Sequence, residues 1–203
     1  MLAPRVGLLD YGSGNLHSAS RALSLAGAQV TVTADLAVLR RQDRLVVPGV
    51  GAFVACMAGI DAVGGRDLIA EWLGDRRPLL GICVGHQIMF DSGTEHGLPT
   101  PGLGVLPGRV ELIPARRLPH MGWNQVNAPA DSQLFDGISD QRFYFVHSYA
   151  ARVAPPEARV ATTQHEKTEF VAAVEWGTLS TTQFHPEKSG AAGIRLLRNW
   201  LGT

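Results

Sequence analysis

The sequence predicts an α/β domain built on a mostly parallel, doubly wound sheet with an antiparallel extension. Two observations carry that prediction. Over the first two-thirds, short apolar runs alternate with stretches of helical periodicity, the pattern of strands joined by crossover helices. Over the last third, strand-like runs follow one another with only turns between them. The 203 residues fit a single domain, 1–203, able to bury about 70% of its unfolded surface.

Arg5–Asp10 is a short strand-type run. Asn15–Ala26 places Leu16, Ala19, Leu23 and Ala26 on one helical face, and Gly27 closes that helix. Val30–Thr33 is β-branched and strand-like, and Asp35–Arg41 reads as a short helix. Leu45–Val47 is a buried-type strand stopped by Pro48-Gly49. Ala52–Gly59 and Arg66–Gly74 are helical. Leu79–Ile82 is a second buried strand, followed by a helix over Val84–Phe90. Arg109–Ile113, Trp123–Asn127, Phe143–His147, Arg159–Thr163, Phe170–Glu175 and Leu179–Phe184 supply the extension, and Gly190–Leu201 is a closing amphipathic helix. Ligands of such sheets bind beyond the carboxyl ends of the strands, so residues that directly follow strands are the candidates for function.

Lys+Arg and Asp+Glu number 18 each, so the formal net charge is zero. Non-specific nucleic-acid binding and attraction to an anionic membrane both need a basic excess, which this chain lacks. Cys56 and Cys83 form neither a disulfide framework nor a zinc-site spacing. The uncharged run Leu45–Ile60 is broken by Pro48, Gly49, Gly51 and Gly59 and does not read as a spanning helix. Val6–Leu9 is too short for a signal-peptide core. These features predict a soluble, cytoplasmic enzyme with no metal and no cofactor.

Gly81-Ile82-Cys83-Val84-Gly85 matches the nucleophile-elbow pattern G-x-S-x-G with cysteine in place of serine. A sharp strand-to-helix turn would expose Cys83, the helix N-terminus would favour negative charge there, and the Val84 N–H could hold an oxyanion. Taken alone, the pentapeptide fits a buried structural cysteine equally well. His185-Pro186-Glu187 follows another strand. In an extended chain, residues i and i+2 project to one side, so Glu187 could orient His185 as the base for Cys83. By itself the segment also fits a surface His-x-Glu pair, while a zinc-deaminase site is disfavoured because no P-C-x-x-C follows. Val46-Val47-Pro48-Gly49-Val50-Gly51 is a third strand-then-glycine segment and a candidate second oxyanion donor. Asp10–Asn15 falls short of a dinucleotide fingerprint, because His17 replaces the third glycine. Cys56 reads as core, His165-Glu166-Lys167 as a solvated turn, and His17 and His96 have no evident partner.

Together and in this order, VVPGVG, LLGICVGHQ and QFHPEKS resemble the class I, triad-type glutamine amidotransferases. DYGSGNLHS, PHMGWN and YFVHSY narrow the resemblance to the glutaminase subunits of imidazole glycerol phosphate synthases, from Val6 to Trp200. The resemblance implies a flavodoxin-like sheet and a Cys83–His185–Glu187 triad that hydrolyses glutamine through a thioester. It implies an oxyanion site at Val84, Val50 and Gly51. It implies glutamine contacts from Gly49, Gly51, Gln87, His147, Ser148 and Tyr149. It also implies a (β/α)8-barrel cyclase partner in histidine biosynthesis that receives the ammonia. Asn15, Trp123, Tyr144 and Lys188 would face that partner. The absence of a phosphate loop or basic patch agrees with a second substrate held elsewhere. Rival readings are a glutaminase feeding another synthase, an inactive binding subunit and a free-standing cysteine hydrolase. PHMGWN and FVHSY disfavour the first, and the intact triad disfavours the second.

Overall fold

The structure, a computed structural model, describes residues 3–95 and 97–203; Met1, Leu2 and His96, all within the expected domain span, lie outside the described residues. The chain runs β1 (Arg5–Leu9), α1 (Leu16–Ala26), β2 (Gln29–Thr33), α2 (Leu36–Arg40), β3 (Arg44–Gly49), α3 (Phe53–Ala62), α4 (Gly65–Gly74), β4 (Leu79–Cys83) and α5 (Val84–Gln87). It continues through β5 (Phe90–Glu95), β6 (Leu98–Pro101), β7 (Leu106–Leu112), β8 (His120–Gln125), β9 (Arg142–His147) and β10 (Tyr149–Ala151). It ends with β11 (Arg159–His165), β12 (Thr168–Trp176), β13 (Leu179–Thr182) and α6 (Gly190–Leu201).

Seven strands form the main sheet in the order β11-β12-β13-β4-β3-β1-β2. From β13 to β2 all neighbours are parallel, while β11, β12 and β13 pair antiparallel. The chain moves outward from β1 to β2 and then back past β1 to β3 and β4. Right-handed crossovers in opposite directions put helices on opposite faces. Accordingly α1 packs with α6, while α2 and α3 pack with α4. β4 is buried at every position, as expected of a central parallel strand covered on both faces. β3 and β4 end in register at Gly49 and Cys83, and β13 ends beside Ile82. Three carboxyl ends therefore meet at one edge.

The extension divides differently from the sequence expectation. Only β11–β13 widen the main sheet. Arg109–Ile113 falls largely in β7, which joins a separate sheet of order β10-β7-β5-β6, and β8 and β9 pair as a two-stranded ribbon. The expected helix over Val84–Phe90 stops at Gln87, and Phe90 starts β5. Tertiary pairing overrides local periodicity here, because Phe90 and Leu106 align as partners in adjacent strands.

Candidate active site

β4 ends on Cys83, where the backbone turns sharply with φ 56° and ψ −109°. A positive φ on a non-glycine residue is strained and persists only where its surroundings hold it. The flanking glycines permit the turn. A Cβ at Gly85 would sit 1.9 Å from the Val47 carbonyl oxygen, and one at Gly81 would sit 2.6 Å from the Gly85 carbonyl oxygen. The G-x-C-x-G spacing is thus a packing requirement, with β3, β4 and the elbow touching backbone to backbone.

β13 leads through Gln183 and Phe184 to His185. The Phe184 ring is fully buried, with its centroid 4.4 Å from that of Phe143, and this anchors the segment. The His185 N–H donates to the Tyr144 carbonyl at 3.0 Å, and the Ser189 hydroxyl donates to the His185 carbonyl at 2.7 Å. His185 Nδ1 lies 2.7 Å from Glu187 Oε1, with both side chains 3% exposed. The expected extended i, i+2 geometry does not produce this contact. Pro186–Lys188 is a 3₁₀ turn, and that turn brings Glu187 to the imidazole. Burial disfavours the imidazolium, but hydrogen bonding and negative charge at the Cys83 sulfur and the Glu187 carboxylate outweigh burial and hold His185 above the ordinary histidine range.

Cys83, Val84 and His185 line one cavity of about 300 Å³, together with Val50, Gly51, Gln87, His147, Ser148, Tyr149 and Lys188. A wider, open depression of about 1020 Å³ lies between 114–117 and 165–167, but no cysteine, serine or threonine is among its described lining residues. Gly49 is not among the cavity-lining residues, contrary to expectation. A Cβ there would stand 2.6 Å from the Gly85 nitrogen and 2.9 Å from Val84 Cβ, so Gly49 lets β3 approach the elbow. Val50 lines the cavity, but its polar groups are engaged by Ser13. Its N–H donates to Ser13 Oγ at 3.1 Å, and the same hydroxyl donates to the Val50 carbonyl at 2.8 Å. In this arrangement the Val50 N–H serves Ser13 rather than an oxyanion. Cys56 is buried as expected, within 3.2 Å of Ser13 Oγ.

Trp123 is 54% exposed, with its ring 6.1 Å edge-on to Tyr144, and Lys188 Nζ lies 6.0 Å from the Tyr144 ring centroid. These three residues form one patch beside the cavity. Asn15 caps α1, its Oδ1 accepting the Ser18 N–H at 3.3 Å, and it shares a small void with Glu187. Two site residues were not legible in the sequence. Glu95 lines the cavity from the end of β5, and its Oε2 accepts the Phe53 N–H at 2.9 Å. Gln183 is fully buried, and its Nε2 approaches Cys83 Sγ at 3.9 Å. Its position two residues before His185 was the available signal.

The fold and site define a class I glutamine amidotransferase. The model of the Glutamine amidotransferase class-I family matches residues 7–202, and the chain belongs to that family. It is 58% identical to the imidazole glycerol phosphate synthase subunit HisH of Corynebacterium diphtheriae, over 97% of this chain and 98% of that protein. Identity to the subunit of the same name is 58% in Nocardia farcinica, over 99% of both chains. In Cutibacterium acnes it is 55%, over 97% of this chain and 96% of that one. A crystal structure of a glutamine amidotransferase superposes with a TM-score of 0.77 at 20% identity, covering 98% of this chain and 99% of the other. PurLQS from Thermotoga maritima superposes at 0.73 and 18% identity, covering 98% of each. These two structures share the fold. No helix among the described residues is long and apolar enough to cross a membrane.

Proposed function

We propose that this chain is the glutaminase subunit of an imidazole glycerol phosphate synthase, one domain over 1–203 acting in the cytoplasm. Cys83 attacks the side-chain carboxamide carbon of glutamine. His185 takes the thiol proton and delivers it to the departing ammonia, and Glu187 holds the imidazole through Nδ1. The Val84 N–H receives the tetrahedral oxyanion, with a second donor from Val50-Gly51 once Val50 leaves Ser13. Water then hydrolyses the glutamyl thioester to glutamate. Gln87 and the His147–Tyr149 backbone hold the substrate, and the Glu95 carboxylate suits its α-ammonium group. The partner is a (β/α)8-barrel cyclase docked on Asn15, Trp123, Tyr144 and Lys188. It uses the ammonia to convert a phosphorylated ribulosyl-formimino carboxamide nucleotide into imidazole glycerol phosphate and AICAR.

The observation that carries this reading is a positive-φ cysteine sharing one cavity with a histidine held 2.7 Å from a buried glutamate. The test is glutamate release from glutamine by the chain alone, then with the cyclase and its nucleotide. Stimulation by the complex that vanishes in Cys83→Ala is the expected result. High turnover indifferent to the cyclase would discard the partner, and no turnover in any mixture would discard the glutaminase.

A further inference from the structure

Behind the cavity wall, β8 and β9 carry a continuous row of polar side chains, with His120 and His147 buried and Asn124 half-buried. His147 Nδ1 lies 2.9 Å from the Tyr149 carbonyl oxygen. His147 Nε2 lies 3.1 Å from His120 Nδ1, and His120 Nε2 lies 3.3 Å from Asn124 Nδ2. The two-residue period of β8 turns His120 and Asn124 inward while Met121 and Trp123 face out, 61% and 54% exposed.

The ends of the row decide every proton in it. A carbonyl oxygen only accepts, so His147 Nδ1 carries hydrogen. Burial keeps His147 neutral, its pKa pulled down to about 3, so its Nε2 accepts from His120 Nδ1–H. Burial and then His165 pull His120 down to about 4, so its Nε2 accepts from Asn124. The Asn124 amide cannot turn over. Its Nδ2 donates to the Gln164 carbonyl at 2.9 Å, and its Oδ1 accepts the Gln125 N–H at 2.9 Å. Hydrogen bonds thus run one way, from Asn124 to Tyr149.

The Tyr149 carbonyl also accepts Gln87 Nε2 at 2.9 Å, and that nitrogen donates again to Gln183 Oε1 at 3.0 Å. Both N–H groups of Gln87 are committed, which leaves Oε1 as its acceptor for the cavity. We propose that His120 and Asn124 are positioning residues for glutamine. They hold His147 in the tautomer that donates to the Tyr149 carbonyl, and that carbonyl keeps Gln87 with its acceptor oxygen toward the substrate. The inference rests on the glutaminase reading. The competing role is packing, since the His120 ring centroid lies 4.9 Å from Phe145 and 5.6 Å from Phe170.

Two variants separate these roles in the complex with the cyclase. His120→Phe keeps a ring and deletes both nitrogens, whereas His120→Asn keeps a donor where Nδ1 stood. The expected result for the phenylalanine variant is a glutamine KM raised about tenfold, one net hydrogen bond, with kcat within about twofold. The asparagine variant returns KM to within about threefold of the parent. An unchanged KM in His120→Phe, or no rescue by His120→Asn, overturns the proposal in favour of packing. Nitrogen NMR of the parent's histidine rings supplies a readout independent of turnover and of the variants' folding. His147 protonated on Nδ1 alone is expected, and the opposite tautomer overturns the proposal. Parent protein that releases no glutamate while showing the expected tautomer defeats the glutaminase reading instead.

Discussion

Ser13→Ala removes a latch. The Ser13 hydroxyl holds both polar groups of Val50, accepting its N–H at 3.1 Å and donating to its carbonyl at 2.8 Å. Turning the Val50 N–H toward an oxyanion breaks the first bond directly, and the second, to the carbonyl of the next peptide, resists the backbone rotation at Val50 that goes with it. Each is worth about 0.5–1.5 kcal/mol net, and their partly exposed setting argues for the lower half, so the latch amounts to about 1–2 kcal/mol. Every 1.4 kcal/mol is a factor of ten in population, so the variant raises the productive conformer about 5- to 30-fold. The assay is glutamate release by the chain without its partner. Basal kcat should rise by about that factor, stimulation by the cyclase should shrink in proportion, and thermal stability should fall by about 1–2 kcal/mol. The opposite signs matter, because a merely structural hydroxyl would lower both. A basal rate that stays level or drops, in a variant that still folds and still binds the cyclase, refutes the latch.

Glu187→Gln should lower kcat by about 10²-fold or more with little change in KM, because the amide can present the wrong group to His185 Nδ1; steady-state kinetics with wild-type-like circular dichroism checks it. Gly85→Ala should destabilise the fold by about 3 kcal/mol or prevent folding, since its Cβ would stand 1.9 Å from the Val47 oxygen; a thermal melt within about 2 °C of the parent would contradict this. Acid should unfold the protein cooperatively near pH 4. Burial holds His86 and His147 at about 3, below the roughly 6.5 of an unfolded histidine, so the unfolded chain takes up protons first as pH falls. The stability from keeping them neutral is fully present above about pH 6.5. It is lost at about 3 kcal/mol per pH unit for the pair as pH drops toward 3, and a chain still folded at pH 3 by circular dichroism would reject the account.

The sequence by itself determined the parallel core and the three strand ends that form the site. Those features are local. Leu45–Val47 and Leu79–Ile82 are short apolar runs, the first stopped by Pro48-Gly49 and the second running into Cys83, and the Gly81 and Gly85 spacing answers steric demands within a few residues of Cys83. His185 and Glu187 were legible as a pair through their spacing, although a 3₁₀ turn rather than an extended chain joins them. Only the tertiary structure decided which runs of the last third widen the main sheet and which form the β8–β9 ribbon, because strand order depends on long-range pairing that periodicity does not encode. It alone brought Glu95 into the cavity and Gln183 up to Cys83, two residues 100 positions apart. It also assigned the Val50 N–H to Ser13, 37 residues away, and set His120 Nδ1 3.1 Å from His147 Nε2. The physical reason is the same in each case: which donor meets which acceptor is a property of the folded geometry, whereas an elbow's glycines are required by the turn itself.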